Sequence, residues 1–172
     1  MFRQARVEDI SNRRITKTHG QIVVVTQFYP RFLKRNLIHE YQHGLAPQRE
    51  LLQEFKAAEK ALVDELGKSA LSDAHNRAFE IVGYETKFTL SPDAVSELGR
   101  LAEIAKTGDV YLVCHCKVGD RCHREILMLY AEAHFDVKIG KVFFPWTTIR
   151  ERIADGSVVQ APENKPENKP EN

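Results

Sequence analysis

Eleven consecutive residues, Cys114-His115-Cys116-Lys117-Val118-Gly119-Asp120-Arg121-Cys122-His123-Arg124, hold all three cysteines of the chain, two of its seven histidines and two arginines. Thiolates are nucleophiles and soft-metal ligands, imidazole moves protons near neutral pH, and guanidinium grips oxyanions. Upstream, Asp109-Val110-Tyr111-Leu112-Val113 reads as a short apolar strand; downstream, Ile126, Leu129, Tyr130 and Ala133 recur at helical spacing. The reactive cluster is therefore the loop between a buried strand and a helix. In open α/β sheets such a loop lies at the carboxyl end of a strand, where ligands bind.

Several chemistries fit these residues. Asp120 is a natural helix cap, which predicts Cys122 in the first helical turn. There the positive helix end and the neighbours Arg121, His123 and Arg124 favour a thiolate. On this reading Cys122 and Cys116 are the candidate catalytic thiols and His123 moves protons; the alternative is a small thiol packed under the turn. A phosphatase-type loop is poorly matched, because six residues after Cys114 stands Asp120, and six after Cys116 stands Cys122 rather than arginine. Cys114, Cys116, Cys122 and His123 are also zinc-type ligands, although their spacing is not the usual pair of short knuckles.

A second cluster, Tyr29-Pro30-Arg31 with Lys34 and Arg35, follows the β-branched stretch at 21–26. If 21–26 and 110–115 are parallel neighbours, Arg31 and Arg124 converge on one crevice suited to phosphate or carboxylate. Tyr29 and Lys117 join them as candidate substrate contacts. Tyr29, Phe32 and Tyr41 beside these cations could also stack bases. The competing reading pairs the arginines with Asp120, Glu125 or Glu40. His19, His39, His43, His75 and His134 show no ligand-like spacing and read as surface or core-edge residues. No Gly-x-Ser-x-Gly or Gly-x-Gly-x-x-Gly motif occurs.

The elements that must position these residues are legible. Residues 1–20 read as an irregular lead-in and 21–156 as one α/β domain. Pro47 opens a helix with Leu51, Phe55, Ala58, Leu62 and Leu66 on one stripe, closed by Gly67. Residues 70–88 read equally as helix or strand. Ser91-Pro92-Asp93 is a strong helix start ahead of Val95, Leu98, Leu101, Ala102 and Ala105. The pattern predicts a strand at 109–115, a helix at 121–135, a further strand at 137–139 and a short helix from Trp146 to Ala154. Strands alternating with helices predict a three-layer sandwich with a mainly parallel, Rossmann-like sheet. The Pro-Glu-Asn-Lys repeat within 157–172 predicts a disordered low-complexity tail.

Composition sets the outer limits. Apolar content of 42% and a net charge of +1 suit a soluble globular domain without a global basic field. No run of residues is long and apolar enough for a bilayer span or a signal core, so a cytoplasmic protein with reduced thiols is the default expectation.

With these motifs in hand, the chain resembles the domain-of-unknown-function 488 family over about residues 20–145. That family's carboxyl-terminal signature, an apolar strand ending in cysteine followed by Cys-His-Arg opening a helix, falls on Cys114, the loop 115–121 and Cys122-His123-Arg124. The front half is similar to the YeaO-like branch at Tyr29-Pro30-Arg31 and Ala46-Pro47-Gln48. Cys116 stands where the family usually has glutamate, Gln48 where it has serine, and Phe32 where that branch often has glycine. The resemblance implies an α/β fold and a shared site linking both motifs, without an activity or a cofactor. The leading expectation is an enzyme acting on a phosphate-bearing small molecule or nucleic acid. A non-catalytic nucleotide or nucleic-acid binding module and a metal-binding structural or regulatory protein are the rivals.

Overall fold

A computed structural model describes residues 1–160. Four strands form one all-parallel sheet: β1 (Phe2–Arg6), β2 (Gln21–Val24), β3 (Glu40–Tyr41) and β4 (Val110–Cys114), in the order β1-β4-β2-β3. The helices are α1 (Val7–Ser11), α2 (Arg49–Leu66), α3 (Leu71–Ile81), α4 (Tyr84–Lys87), α5 (Pro92–Thr107), α6 (His123–Phe135) and α7 (Thr147–Ala154). The architecture is the expected mixed α/β, Rossmann-like arrangement.

Because strand side chains alternate between faces, the run Ile22-Val23-Val24-Val25 serves two cores at once. Val23 and Val25 join Val110, Leu112 and Phe2 in the large core beneath the main helices. Ile22 and Val24 join Val113, Ala5, Val7, Ile10, Leu33 and Ile38 in a smaller core on the other face. The third layer is thin, supplied by α1 and the segment around Leu33–Ile38. Gly20 lets β2 start beside β4: at its φ of 153° an added Cβ would lie 2.3 Å from the Asp109 carbonyl oxygen.

The last strand, β4, is inserted between β1 and β2, with Val24 opposite Val113 and Arg6 opposite Cys114. The cysteine loop therefore leaves the middle of the sheet. Its flanks are the ends of β1 and β2, and α6 begins directly above it. The α5 start is as expected, with the Ser91 hydroxyl accepting from the Ala94 amide at 3.1 Å.

Several boundaries differ from the sequence reading. Residues 1–20 are no irregular lead-in, because Phe2–Arg6 is a full sheet strand. The ambiguous stretch 70–88 is helical, as α3 and α4. The expected strand at 137–139 is reduced to a single parallel bridge between Phe2 and Ile139. The first residues of the expected tail are packed: Val158 is fully buried, and Leu90 exchanges backbone hydrogen bonds with Val158 and Gln160. The Pro-Glu-Asn-Lys repeats from 162 onward lie outside the described residues.

Candidate active-site cleft

The chain after β2 is shaped by local bonds. The Thr26 hydroxyl donates to the Phe28 carbonyl at 2.8 Å, the Leu33 amide donates to the Pro30 carbonyl at 3.0 Å, and Leu33 is buried. With its ends fixed, this loop holds Phe28, Arg31 and Phe32 out toward solvent. Phe28 is 64% and Phe32 59% exposed. These side chains line a cleft of about 470 Å³ at the carboxyl ends of β2 and β4, together with Lys56, Glu59, His75, Cys114, Cys116 and His123. Phe55, Phe79 and Tyr84 form its apolar wall.

The floor is the thiol cluster. The three sulfurs lie within 4.8 Å of one another, with Cys114 Sγ 3.8 Å from Cys116 Sγ. Cys122 is the cap of α6, not a first-turn residue, with φ −155° and ψ 143°. Its sulfur sits 3.5 Å from His123 Nδ1 and accepts a hydrogen bond from Arg124 Nε at 3.2 Å. His123 Nε2 donates to the Val25 carbonyl at 2.8 Å, which ties the end of β2 to the start of α6. Burial pushes the Cys122 thiol up, but hydrogen bonds from Cys114 and Cys116 and the charges of Arg124 and His123 outweigh it and hold it well below its ordinary range. Hydrogen bonds with Cys114 and Cys122, reinforced by burial, hold Cys116 well above. Burial opposes a charged His123, yet the neighbouring sulfur charge pushes its pKa up to about 10.

The expected arginine clamp is corrected by burial. Arg31 is exposed and lines the cleft, whereas Arg124 is fully buried and does not. Its guanidinium is spent inside, on the Cys122 sulfur and on the carbonyls of Ala5, Cys116 (2.9 Å) and Lys117 (3.3 Å). The Lys117 side chain is exposed and is not part of the cleft lining. Tyr29 lines the cleft, but its ring is held by Arg35, 4.1 Å from the centroid, and by an edge contact with Tyr41. Arg121 turns away toward Glu80 and Glu85 and lies over Phe144. Of the candidate thiols only Cys114 and Cys116 line the cleft; Cys122 lies behind them, wholly buried.

One pair in the cleft escaped the sequence reading. His75 Nδ1 lies 2.6 Å from Glu59 Oε1, and its Nε2 lies 2.8 Å from the Arg121 carbonyl oxygen. Both partners are acceptors, an arrangement that favours the ring donating from both nitrogens as imidazolium. Burial works against that charge but is outweighed by the bonds to Glu59 and Arg121 and by the charges of Glu59 and Asp120, so the pKa is raised. A signal existed. Glu59 stands four residues after Phe55 on the apolar side of α2, and His75 four before Phe79 on that of α3. An acid and an imidazole on two packed apolar faces need each other.

This pair predicts a pH effect. Because the folded pKa of His75 lies above the unfolded value of about 6.5, its stabilisation is complete below that pH and is lost as pH rises through the folded value. Urea unfolding at a series of pH values should show stability falling above neutrality. The His75→Gln variant should lose that part of the slope.

Among the described residues no helix is long and apolar enough to cross a membrane. No curated protein and no solved structure matched the chain. A family model described as "Active DUF488-N3 subclade" matches residues 5–133, a span that runs from the end of β1 through most of α6 and holds every cleft residue named above. The chain therefore belongs to the DUF488 family, within that subclade.

Proposed function

We propose that the protein is an enzyme acting on a phosphate-bearing substrate with a planar group, a nucleotide or the end of a nucleic acid, held in the cleft between the ends of β2 and β4. The observation that carries this reading is the mouth of the cleft. Phe28 and Phe32, both largely exposed, flank Arg31 on one anchored loop, with Lys56 also lining the cleft. Uncovered aromatic faces beside cations suit a base and its phosphate. A volume of about 470 Å³ falls in the range of small-molecule sites.

In this reading Arg31 and Lys56 meet the phosphate, Phe32 stacks the planar group, and Tyr29 is part of the wall. Glu59, held by His75, is the carboxylate of the cleft that accepts a proton or a hydrogen bond from a substrate hydroxyl. Cys122 does not touch substrate; it sets the charge of a floor to which Cys114, Cys116 and His123 contribute the lining atoms. Three free thiols suit a reducing, cytoplasmic setting.

Thermal-shift titration with nucleoside monophosphates, nucleosides, sugar phosphates and inorganic phosphate tests the reading. Nucleoside monophosphates should stabilise most. Phe32→Ala should weaken their binding by about 1–3 kcal/mol, roughly 5- to 150-fold. No stabilisation by any of the four classes would contradict the proposal. Binding without any product after prolonged incubation would reduce it to the non-catalytic binding module.

A further inference from the structure

We propose that Cys114, Cys116 and Cys122, completed by His123, form a tetrahedral zinc site set against the floor of the cleft. This goes beyond the nucleotide reading and does not rest on it.

The first support is geometric. Zinc–sulfur bonds of about 2.3 Å at tetrahedral angles place two thiolates roughly 3.8 Å apart. Cys114 and Cys116 are 3.8 Å apart, and all three sulfurs fall within 4.8 Å. With a zinc–nitrogen bond of about 2.05 Å, a sulfur and an imidazole nitrogen should lie roughly 3.6 Å apart. Cys122 Sγ and His123 Nδ1 are 3.5 Å apart. One strand end and one helix start therefore supply what the sequence spacing alone seemed not to allow. The turn at Lys117–Asp120, closed by an amide-to-carbonyl bond of 3.3 Å, brings them together.

The outer shell has the form that metal sites use. A ligating histidine normally donates its other ring N–H to a carbonyl or carboxylate, and ligating thiolates accept hydrogen bonds. His123 Nε2 donates to the Val25 carbonyl, which leaves Nδ1 facing the Cys122 sulfur. Arg124 Nε donates to Cys122.

Charge is the independent support. Arg124 is fully buried, and among the described residues it has no carboxylate partner. A buried cation requires a nearby anion. Zinc bound by three thiolates and a neutral imidazole carries one net negative charge, which Arg124 cancels. Binding releases to solvent the protons that the thiols and the His123 ring carry without the metal, and involves no electron transfer.

The test uses full-length protein purified without chelator. Elemental analysis should find zinc at one equivalent per chain. Chelation should lower the thermal midpoint, and zinc should restore it. Cobalt added to the chelated protein should give the visible bands of a tetrahedral site and a near-ultraviolet thiolate-to-metal band. Cys116→Ser should weaken zinc by more than the roughly 10- to 100-fold typical of outer-shell losses, and His123→Ala should alter the cobalt spectrum. Should either variant fail to fold, the wild-type cobalt spectrum decides alone. Absence of tetrahedral thiolate–cobalt bands would overturn the proposal, as would a Cys114–Cys116 disulfide that forms equally with and without zinc. Neither result bears on nucleotide binding, which is read separately.

Discussion

Replacing Arg124 with methionine should cost the fold about 3–5 kcal/mol, the range for removing one partner of a buried charge cluster. The guanidinium is fully buried and joins four acceptors from three places: Ala5 at the end of β1, Cys116 and Lys117 in the loop, and Cys122 at the start of α6. Methionine fills much of the volume but leaves those carbonyls and the Cys122 sulfur without the guanidinium's donors. Arg124→Lys should recover only part of the loss, since an ammonium keeps the charge but lacks the planar fork. Urea unfolding followed by circular dichroism measures both. A methionine variant within 1 kcal/mol of wild type, on the order of an ordinary surface change, would show that Arg124 does not tie these elements together.

The next largest effect should come from Glu125. This carboxylate is also fully buried and accepts from three donors: the Trp146 indole at 2.5 Å, the Phe143 amide at 3.0 Å and the Gln4 amide group at 3.0 Å. Trp146 itself sits at φ 49°, a left-handed conformation uncommon for a bulky residue. Glu125 thus pins the segment 143–146 onto α6 and supports that backbone. Glu125→Ala strands these donors at about 1–3 kcal/mol for each one that stays buried. A total near 3 kcal/mol corresponds to a fall of roughly 6–12 °C in Tm for a domain of this size. Differential scanning calorimetry reads it directly, and near-ultraviolet circular dichroism should show Trp146 losing its fixed environment.

These two residues show where sequence reading reached its limit. The chain announces β4, α6 and the capped start of α5 because each carries an unbroken local pattern, and the thiol loop announces the site. It does not announce the direction of Arg124. Every residue from His123 to Ala131 is buried, so the helix lacks the polar face from which an arginine's orientation could be inferred. The pairing of Glu125 with Trp146 spans 21 positions, and that of Glu59 with His75 spans 16. β1 was hidden for another reason. Of Phe2-Arg3-Gln4-Ala5-Arg6 only Phe2 and Ala5 are buried; Arg3 is held at the surface by Asp109, and the half-buried Gln4 reaches inward to Glu125. Arg31, by contrast, lines the cleft, since a loop leaving a central strand runs along the carboxyl edge of the sheet.

Calorimetric titration of a nucleoside 5′-monophosphate into the wild type and into the Arg31→Ala, Lys56→Ala double variant tests the central claim most directly. Both side chains line the cleft and are exposed, so the double variant should fold normally. The account predicts saturable binding at one site in the wild type. Each lost charge-assisted hydrogen bond should cost about 1.5–3 kcal/mol, so binding should weaken by two or more orders of magnitude in the variant. The parent nucleoside, lacking the phosphate, should bind both proteins equally. Equal affinity of the monophosphate for both proteins, or no heat of binding at all, would contradict the claim that this cleft holds a phosphate-bearing ligand.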